Sequence, residues 1–235
     1  MPRIRVIDFE TTGTEADAEV CEVGWCDIAL TDGAWVVAGQ GSYLCGVQSM
    51  PPEVRAVHHL SLADVAGQPR FDPASLWEHA KAAGVDVVSA HNLAFEAQFW
   101  GESPVPLICT YKAALRAWPE APAHSNGVLR YWLEEAGRIA PIHDLTMPPH
   151  RAGPDAYVTA HILIALLGTE SANDMARWTK EPCVFPTCPI GKEWRGKRWA
   201  EVDRGFLEWM LRQTDMDPDL KWNARRELER RSFAQ

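Results

Sequence analysis

The chain of 235 residues has no apolar run long enough to cross a membrane. The longest, Ile162 to Leu167, falls far short of the roughly 20 residues a spanning helix needs. A signal-peptide pattern is also missing, because the opening Met1-Pro-Arg-Ile-Arg-Val-Ile-Asp-Phe-Glu10 reaches two acids within ten residues. The location expected from these two absences is cytoplasmic. Cysteine is sparse and scattered, at Cys21, Cys26, Cys45, Cys109, Cys183 and Cys188, which excludes a dense disulfide framework. Positive charge is in deficit: 23 Lys+Arg stand against 32 Asp+Glu, a net of −9. Taken as an average, that balance argues against a general nucleic-acid binder. No internal repeat and no low-complexity tract occurs. What remains is an ordinary globular composition, 46% hydrophobic and 23% charged, which excludes disorder as the dominant state. The length fits one large domain, or one domain with a small appendage.

The charge is unevenly spread. Residues 1–190 hold 12 Lys+Arg and 23 Asp+Glu, whereas residues 191–235 hold 11 and 9. The acidic balance therefore belongs to the first part, and the last fifth is mildly basic. That last part also carries Trp194, Trp199, Trp209 and Trp222. Between them, residues 181–190 include three prolines and read as a connection. The division predicted is a core over 1–180, a linker over 181–190 and an accessory module over 191–235.

Alternation over Ile4 to Glu10 predicts a strand with Ile4, Val6, Asp8 and Glu10 on one face. Residues 22–30 and 34–44 predict two more strands, joined by a hairpin at Thr31-Asp-Gly33. Helices are predicted over 72–83, 92–100, from 110 to Trp118, from an N-cap at Ser125 through Glu135, and over 154–167, with short strands at 85–89 and 107–110. Three meandering strands followed by alternating helices and strands give an α/β class with a mixed central sheet.

Asp8 and Glu10 lie two apart on one strand, so their carboxylates point the same way. Like charges that close repel unless a cation lies between them, and hard divalent ions prefer carboxylate oxygens. Further along, His91-Asn-Leu-Ala-Phe-Glu96 follows a buried strand. His150-Arg-Ala-Gly-Pro-Asp155 sets a loop histidine five residues before an acid at a helix start. Singly, each acid reads as a solvated group or a helix-dipole partner. The ordered set D-x-E, N-x-x-F-E and H-x4-D is far more specific.

On these stretches the sequence resembles the DEDD superfamily of 3′–5′ exonucleases, in its histidine-bearing branch. The tyrosine-bearing branch would have tyrosine at 151, where this chain has Arg151. Within the superfamily it is most similar to the exodeoxyribonuclease X group. Further likeness runs through Val57-His-His-Leu60, Ile108-Cys-Thr-Tyr-Lys112, Ser125-Asn126, Asp155 to Ala160, Gly191 to Lys197 and Phe206 to Leu211.

The resemblance implies a ribonuclease H-like fold: a mixed five-stranded sheet flanked by helices, with a small C-terminal α-rich module. It implies 3′–5′ hydrolysis of DNA to nucleoside 5′-monophosphates with two divalent ions, Mg²⁺ or Mn²⁺. Asp8, Glu10 and Asp155 would hold the metals, with Asp8 bridging and Glu96 supporting the second, and His150 would act as general base. Substrate contacts would come from Phe9, Thr11, Thr12, His59, His91 and Asn92. The partners implied are single-stranded DNA or DNA 3′ ends, near the nucleoid, with no membrane and no dedicated protein partner. RNA is the alternative substrate on the same scaffold, and a non-catalytic DNA-end binder is the rival of another class. One position departs from the pattern: Glu96 stands where the superfamily usually has Asp.

Other candidates read more plainly. Cys183 and Cys188 lack a second Cys/His pair nearby and read as ordinary thiols. Cys21 and Cys26 read as core, and His161 as a packed side chain. The helix predicted over 217–231 ends in Arg225-Arg226 and Arg230-Arg231, which read either as a solvated basic face or as phosphate contacts.

Overall fold

The computed structural model describes residues 2–233. Its sheet has five strands: β1 (Arg3–Thr11), β2 (Val20–Thr31), β3 (Ala34–Leu44), β4 (Val87–Ala90) and β5 (Leu107–Cys109). Their order is β3-β2-β1-β4-β5. The first three pair antiparallel, while β1–β4 and β4–β5 pair parallel, giving the expected mixed sheet. The β2–β3 hairpin turns on Asp32 (φ 51°) and Gly33 (φ 83°), two left-handed residues whose twist suits a two-residue loop.

The helices are α1 (Pro52–His58), α2 (Pro73–Ala82), α3 (Ala97–Trp100), α4 (Thr110–Ala117), α5 (Asn126–Glu135), α6 (Ala152–Leu167), α7 (Ala172–Lys180), α8 (Arg204–Arg212) and α9 (Pro218–Phe233). Three of them, α1, α7 and α8, lie outside the elements expected from the sequence. The first is short, opens on Pro51-Pro52 and is mostly exposed, so it has no apolar stripe to read. The helix expected over 92–100 contracts to α3, because residues 91–96 are turns and Asn92 is left-handed (φ 64°).

The period-2 alternation of β1 divides the core. Ile4 and Val6 face one side, with Leu129, Leu133, Ile162, Leu163 and Leu166 of α5 and α6. Ile7 and Phe9 face the other, with Leu76, Ala80 and Trp100 of α2 and α3. Each fully buried apolar side chain contributes roughly 1.5–3 kcal/mol, so these two layers fix the strand register. Asp8 and Glu10 continue the Ile4–Val6 face at the C-terminal end of β1, where α6 begins.

The C-terminal residues have an apolar cluster of their own, centred on Cys188, Val202, Leu207, Met210 and Ala224. The stretch read as a linker is well tied down. Asn223 donates to Cys183 O (2.7 Å) and accepts from Phe185 N (3.2 Å), and Trp199 Nε1 donates to Phe185 O (2.7 Å). Cys188 N donates to Lys197 O, and Thr187 bridges to Arg198. All six cysteines are buried and unbridged, and Cys21 and Cys26 lie in the core as read. Among the described residues, no helix is long and apolar enough to cross a membrane.

Candidate active site

The N-terminus of α6 reaches the acids of β1 because β2 leaves room for it. Gly24 lies directly opposite Asp8, and Glu22 lies opposite Glu10. A Cβ on Gly24 would stand 1.9 Å from Ala152 O and 2.4 Å from Gly153 N, so only glycine lets the first turn of α6 cross the strand here. Glu22, 2% exposed, takes both arms of Arg151 (2.8 and 2.9 Å) and the Ala152 N–H (3.2 Å). This planar, two-bond pair clamps the start of α6 onto β2.

The clamp brings together residues 147 positions apart in sequence. Asp8, Glu10 and Asp155 each present a carboxylate oxygen, and these oxygens lie within 4.8 Å of one another. Asn126 steadies Asp155 from α5 by donating to its carbonyl (3.2 Å) and to Thr159 Oγ1 (2.8 Å). Crowding and burial leave these acids unwilling to ionise. Burial, then the charges of Asp155 and Glu96, hold Asp8 well above the usual carboxylate range. Glu10 is pushed up to about 8 by burial and by Asp155 and Glu22, with Arg151 opposing. Asp155 is raised by burial, against the His150 backbone bond.

Glu96 lies just before α3 and is 3% exposed. Burial raises it to about 8, and its Oε2 has no hydrogen-bond partner. Its charge reaches Asp8, yet it stands outside the three-carboxylate group. His150 is exposed and left-handed (φ 58°), and its backbone N–H donates to Asp155 Oδ2 (3.0 Å). Its side chain borders a cleft of about 660 Å³ that also contains Asp8 and Asp155. The opposite wall comes from α5, including Val128, Tyr131 and Trp132. This wall escaped the sequence reading, although an aromatic pair in a helix opening at Ser125-Asn126 was its visible signal.

The expected substrate contacts fare unevenly. Phe9 is corrected: its side chain is 5% exposed and faces away from the acids, packed edge-on against Phe71, Phe99 and Trp100. Alternation along β1 forces this, since Phe9 lies between two residues that share the other face. His91 lines the cleft, but its two ring nitrogens are already engaged, by Thr110 Oγ1 (2.9 Å) and His124 O (2.8 Å). Burial lowers its pKa to about 4, so it sits there as a neutral, fixed ring. The Thr11 hydroxyl donates to Gly13 O (2.6 Å), and the Thr12 hydroxyl accepts from Glu19 N (2.9 Å), so both shape the turn after β1. His59 and Asn92 are exposed and left-handed. His58 is buried, accepting from Leu60 N (3.0 Å).

A mixed sheet with three acids converging beside its central strand is the architecture of a ribonuclease H-like nuclease. The chain is 30% identical over 233 residues to exodeoxyribonuclease 10 of Escherichia coli K12, covering 96% of this chain and 99% of that protein. The match to the same enzyme of Escherichia coli O6:H1 (strain CFT073) has the same extent. Among solved structures, exonuclease X in complex with 5′ overhanging duplex DNA matches with a TM-score of 0.59 and 29% identity, over 75% of this chain and 99% of that one. Escherichia coli exonuclease I in complex with a dA16 oligonucleotide shares the fold, with a TM-score of 0.50 and 15% identity over 76% of this chain and 43% of that one. No protein-family model matches. The chain belongs to the exodeoxyribonuclease 10, or exonuclease X, family, and it is a nuclease.

Proposed function

We propose that the protein is a metal-dependent 3′–5′ exodeoxyribonuclease releasing nucleoside 5′-monophosphates. One observation carries this reading: Asp8, Glu10 and Asp155 converge within 4.8 Å, and Asp8 and Asp155 line the same cleft as His150. The donor set fits divalent metal. It consists of hard carboxylate oxygens whose burial and mutual repulsion call for a cation, with the unpartnered Oε2 of Glu96 close behind. Asp8, Glu10 and Asp155 would hold two ions, Mg²⁺ or Mn²⁺, with Glu96 in support. Such ions, when bound, supply a nucleophilic water at neutral pH and offset charge on the leaving oxygen.

The protein's own groups do the rest. His150 takes the proton of the attacking water, and its exposed place on the cleft rim suits a base facing incoming substrate. The His150 N–H to Asp155 bond ties the position of the base to that of a ligand. Attack at phosphorus breaks the bond to the 3′ oxygen of the preceding nucleotide, so the phosphate leaves on the 5′ carbon of the released one. Tyr131 and Val128, 52% and 38% exposed, offer an apolar wall for the terminal base. Residues 1–180 form the catalytic unit, 181–190 the connection and 191–235 an accessory module, whose apolar cluster also takes in Cys188 and Ile190 of the connection.

The test uses 5′-labelled DNA and RNA of one sequence with Mg²⁺ or Mn²⁺, beside Asp8→Asn. The expected result is a DNA ladder shortening from the 3′ end and absent in the variant. Activity surviving Asp8→Asn would refute the site. RNA-only cleavage would move the substrate to RNA, and binding without cleavage would leave an end-binding protein.

A further inference from the structure

Two cavities of about 700 and 670 Å³ run together between the nuclease core and the C-terminal residues, sharing Pro119, Val184, Pro186 and Arg226 in their walls. Arg198 and Trp199 line one end, and Trp222 lines the other. The acids along this groove are mostly spent. Glu227 is held by Arg230 and Arg231 (both 2.8 Å), and Glu181 by Arg116 (2.9 Å) and Arg177 (3.3 Å), which leaves Glu120. Arg198 and Arg226 are exposed and, among the described residues, have no carboxylate within salt-bridge distance; Arg226 instead lies 5.4 Å over the Trp222 ring. The adjoining turn adds Lys192, Arg195 and Lys197, also exposed and without an acid partner among the described residues.

This groove adjoins the active cleft. Pro122 lines the cleft and Glu120 lines the groove, so one residue, Ala121, separates the walls, at most about 7 Å of chain. We propose that the groove carries the strand upstream of the 3′ end being cleaved, its phosphates on Arg198 and Arg226 and its bases on Trp199 and Trp222. Unpaired cations beside half-buried indole faces are what a single strand requires: a point charge for each phosphate and a sequence-tolerant surface for each base. The proposal rests on the exonuclease reading above.

The test compares two substrates in wild type and in Arg198→Ala/Arg226→Ala. The p-nitrophenyl ester of thymidine 5′-phosphate fills the cleft alone, and a single-stranded DNA 20-mer also reaches the groove. The expected result is ester turnover within about twofold of wild type, with KM for the 20-mer raised roughly tenfold. The slope of log(kcat/KM) against log[salt] should flatten by about 1.4, because two phosphates are no longer neutralised by arginine. An unchanged KM and slope for the 20-mer would overturn the strand path and leave the groove to a protein partner. Equal loss on both substrates would also overturn it, by making the arginines part of the fold. A wild type inactive on both substrates would instead sink the exonuclease reading itself.

Discussion

Gly24→Ala tests whether the approach of α6 to β2 builds the site. The added Cβ would stand 1.9 Å from Ala152 O and 2.0 Å from Ala152 C. Reaching even a close contact of roughly 3.4 Å requires the strand and the helix start to part by about 1.5 Å. Both partners are backbone, so no side chain can swing aside. The helix start carries His150, Arg151 and Asp155, and Gly24 lies opposite Asp8, so the gap opens inside the three-carboxylate group. A 1 Å misplacement of reacting groups can cost about 100-fold, so kcat should fall at least that far. Overpacking of this kind costs about 1–3 kcal/mol, which in a chain of this length lowers Tm by roughly 4–8 °C at 2 kcal/mol. Gly39→Ala is the control, because its Cβ would meet the Trp25 ring at an ordinary 3.6 Å. The assays are DNA cleavage and thermal unfolding of both variants. A Gly24→Ala enzyme with wild-type kcat would refute the argument, and so would equal losses in Gly39→Ala.

Metal-free protein should lose stability as pH rises. Glu10 and Glu96 are raised from an ordinary 4.5 to about 8, so the folded state holds more protons than the unfolded state between those values. Tm should fall from pH 5 to pH 8, and added Mg²⁺ should raise it more at pH 8 than at pH 6; a pH-independent Tm in chelator would contradict the crowding. Arg151→Ala strands Glu22, which is 2% exposed, and should cost about 3 kcal/mol in denaturant unfolding, the low end for a broken buried pair because Arg151 is itself 31% exposed. Glu22→Gln should be milder than Arg151→Ala, and the reverse order would show that the arginine is the stranded partner. Glu96→Asp draws the carboxylate back by about one bond, roughly 1.5 Å, and should raise Mg²⁺ activity relative to Mn²⁺; unchanged or lower Mg²⁺ activity means that Glu96 is no handicap.

The parts of the site that follow from local periodicity were legible. Asp8 and Glu10 share a face because they are two apart on a strand, and β3 and the helix after Asp72 could be bounded from alternation, turn residues and capping. What brings Asp155 to them is tertiary. Its signal was a glutamate and a glycine two apart inside an apolar strand, Glu22 and Gly24, read only as strand. The resemblance implies a substrate contact at Phe9, but the same alternation that puts Asp8 and Glu10 on one face sends Phe9 to the other. The tail shows the limit of counting charges. Arg231 donates to the carbonyls of Trp199 (2.9 Å), Ala200 (3.1 Å) and Val202 (2.8 Å), so it holds the module together and is not free for phosphate.

Five carboxylates, Asp8, Glu10, Glu22, Glu96 and Asp155, crowd the end of β1, and among the described residues one carboxylate, Glu22, has a salt-bridged cation, Arg151, whose charge also reaches Glu10. Arg130, whose charge reaches Asp155, is paired with Glu134 at 2.9 Å. A second cation would be easy to build, as the Arg5–Asp27 pair (2.7 Å) between the same two strands, β1 and β2, shows. The deficit is therefore local and specific to the cleft. Without a cation, ionised acids there repel a phosphodiester, and protonated acids cannot hold a metal. With divalent ions the same acids present a neutral or positive surface to the substrate. On the proposed metal site, metal and DNA favour each other's binding, by the same factor in each direction.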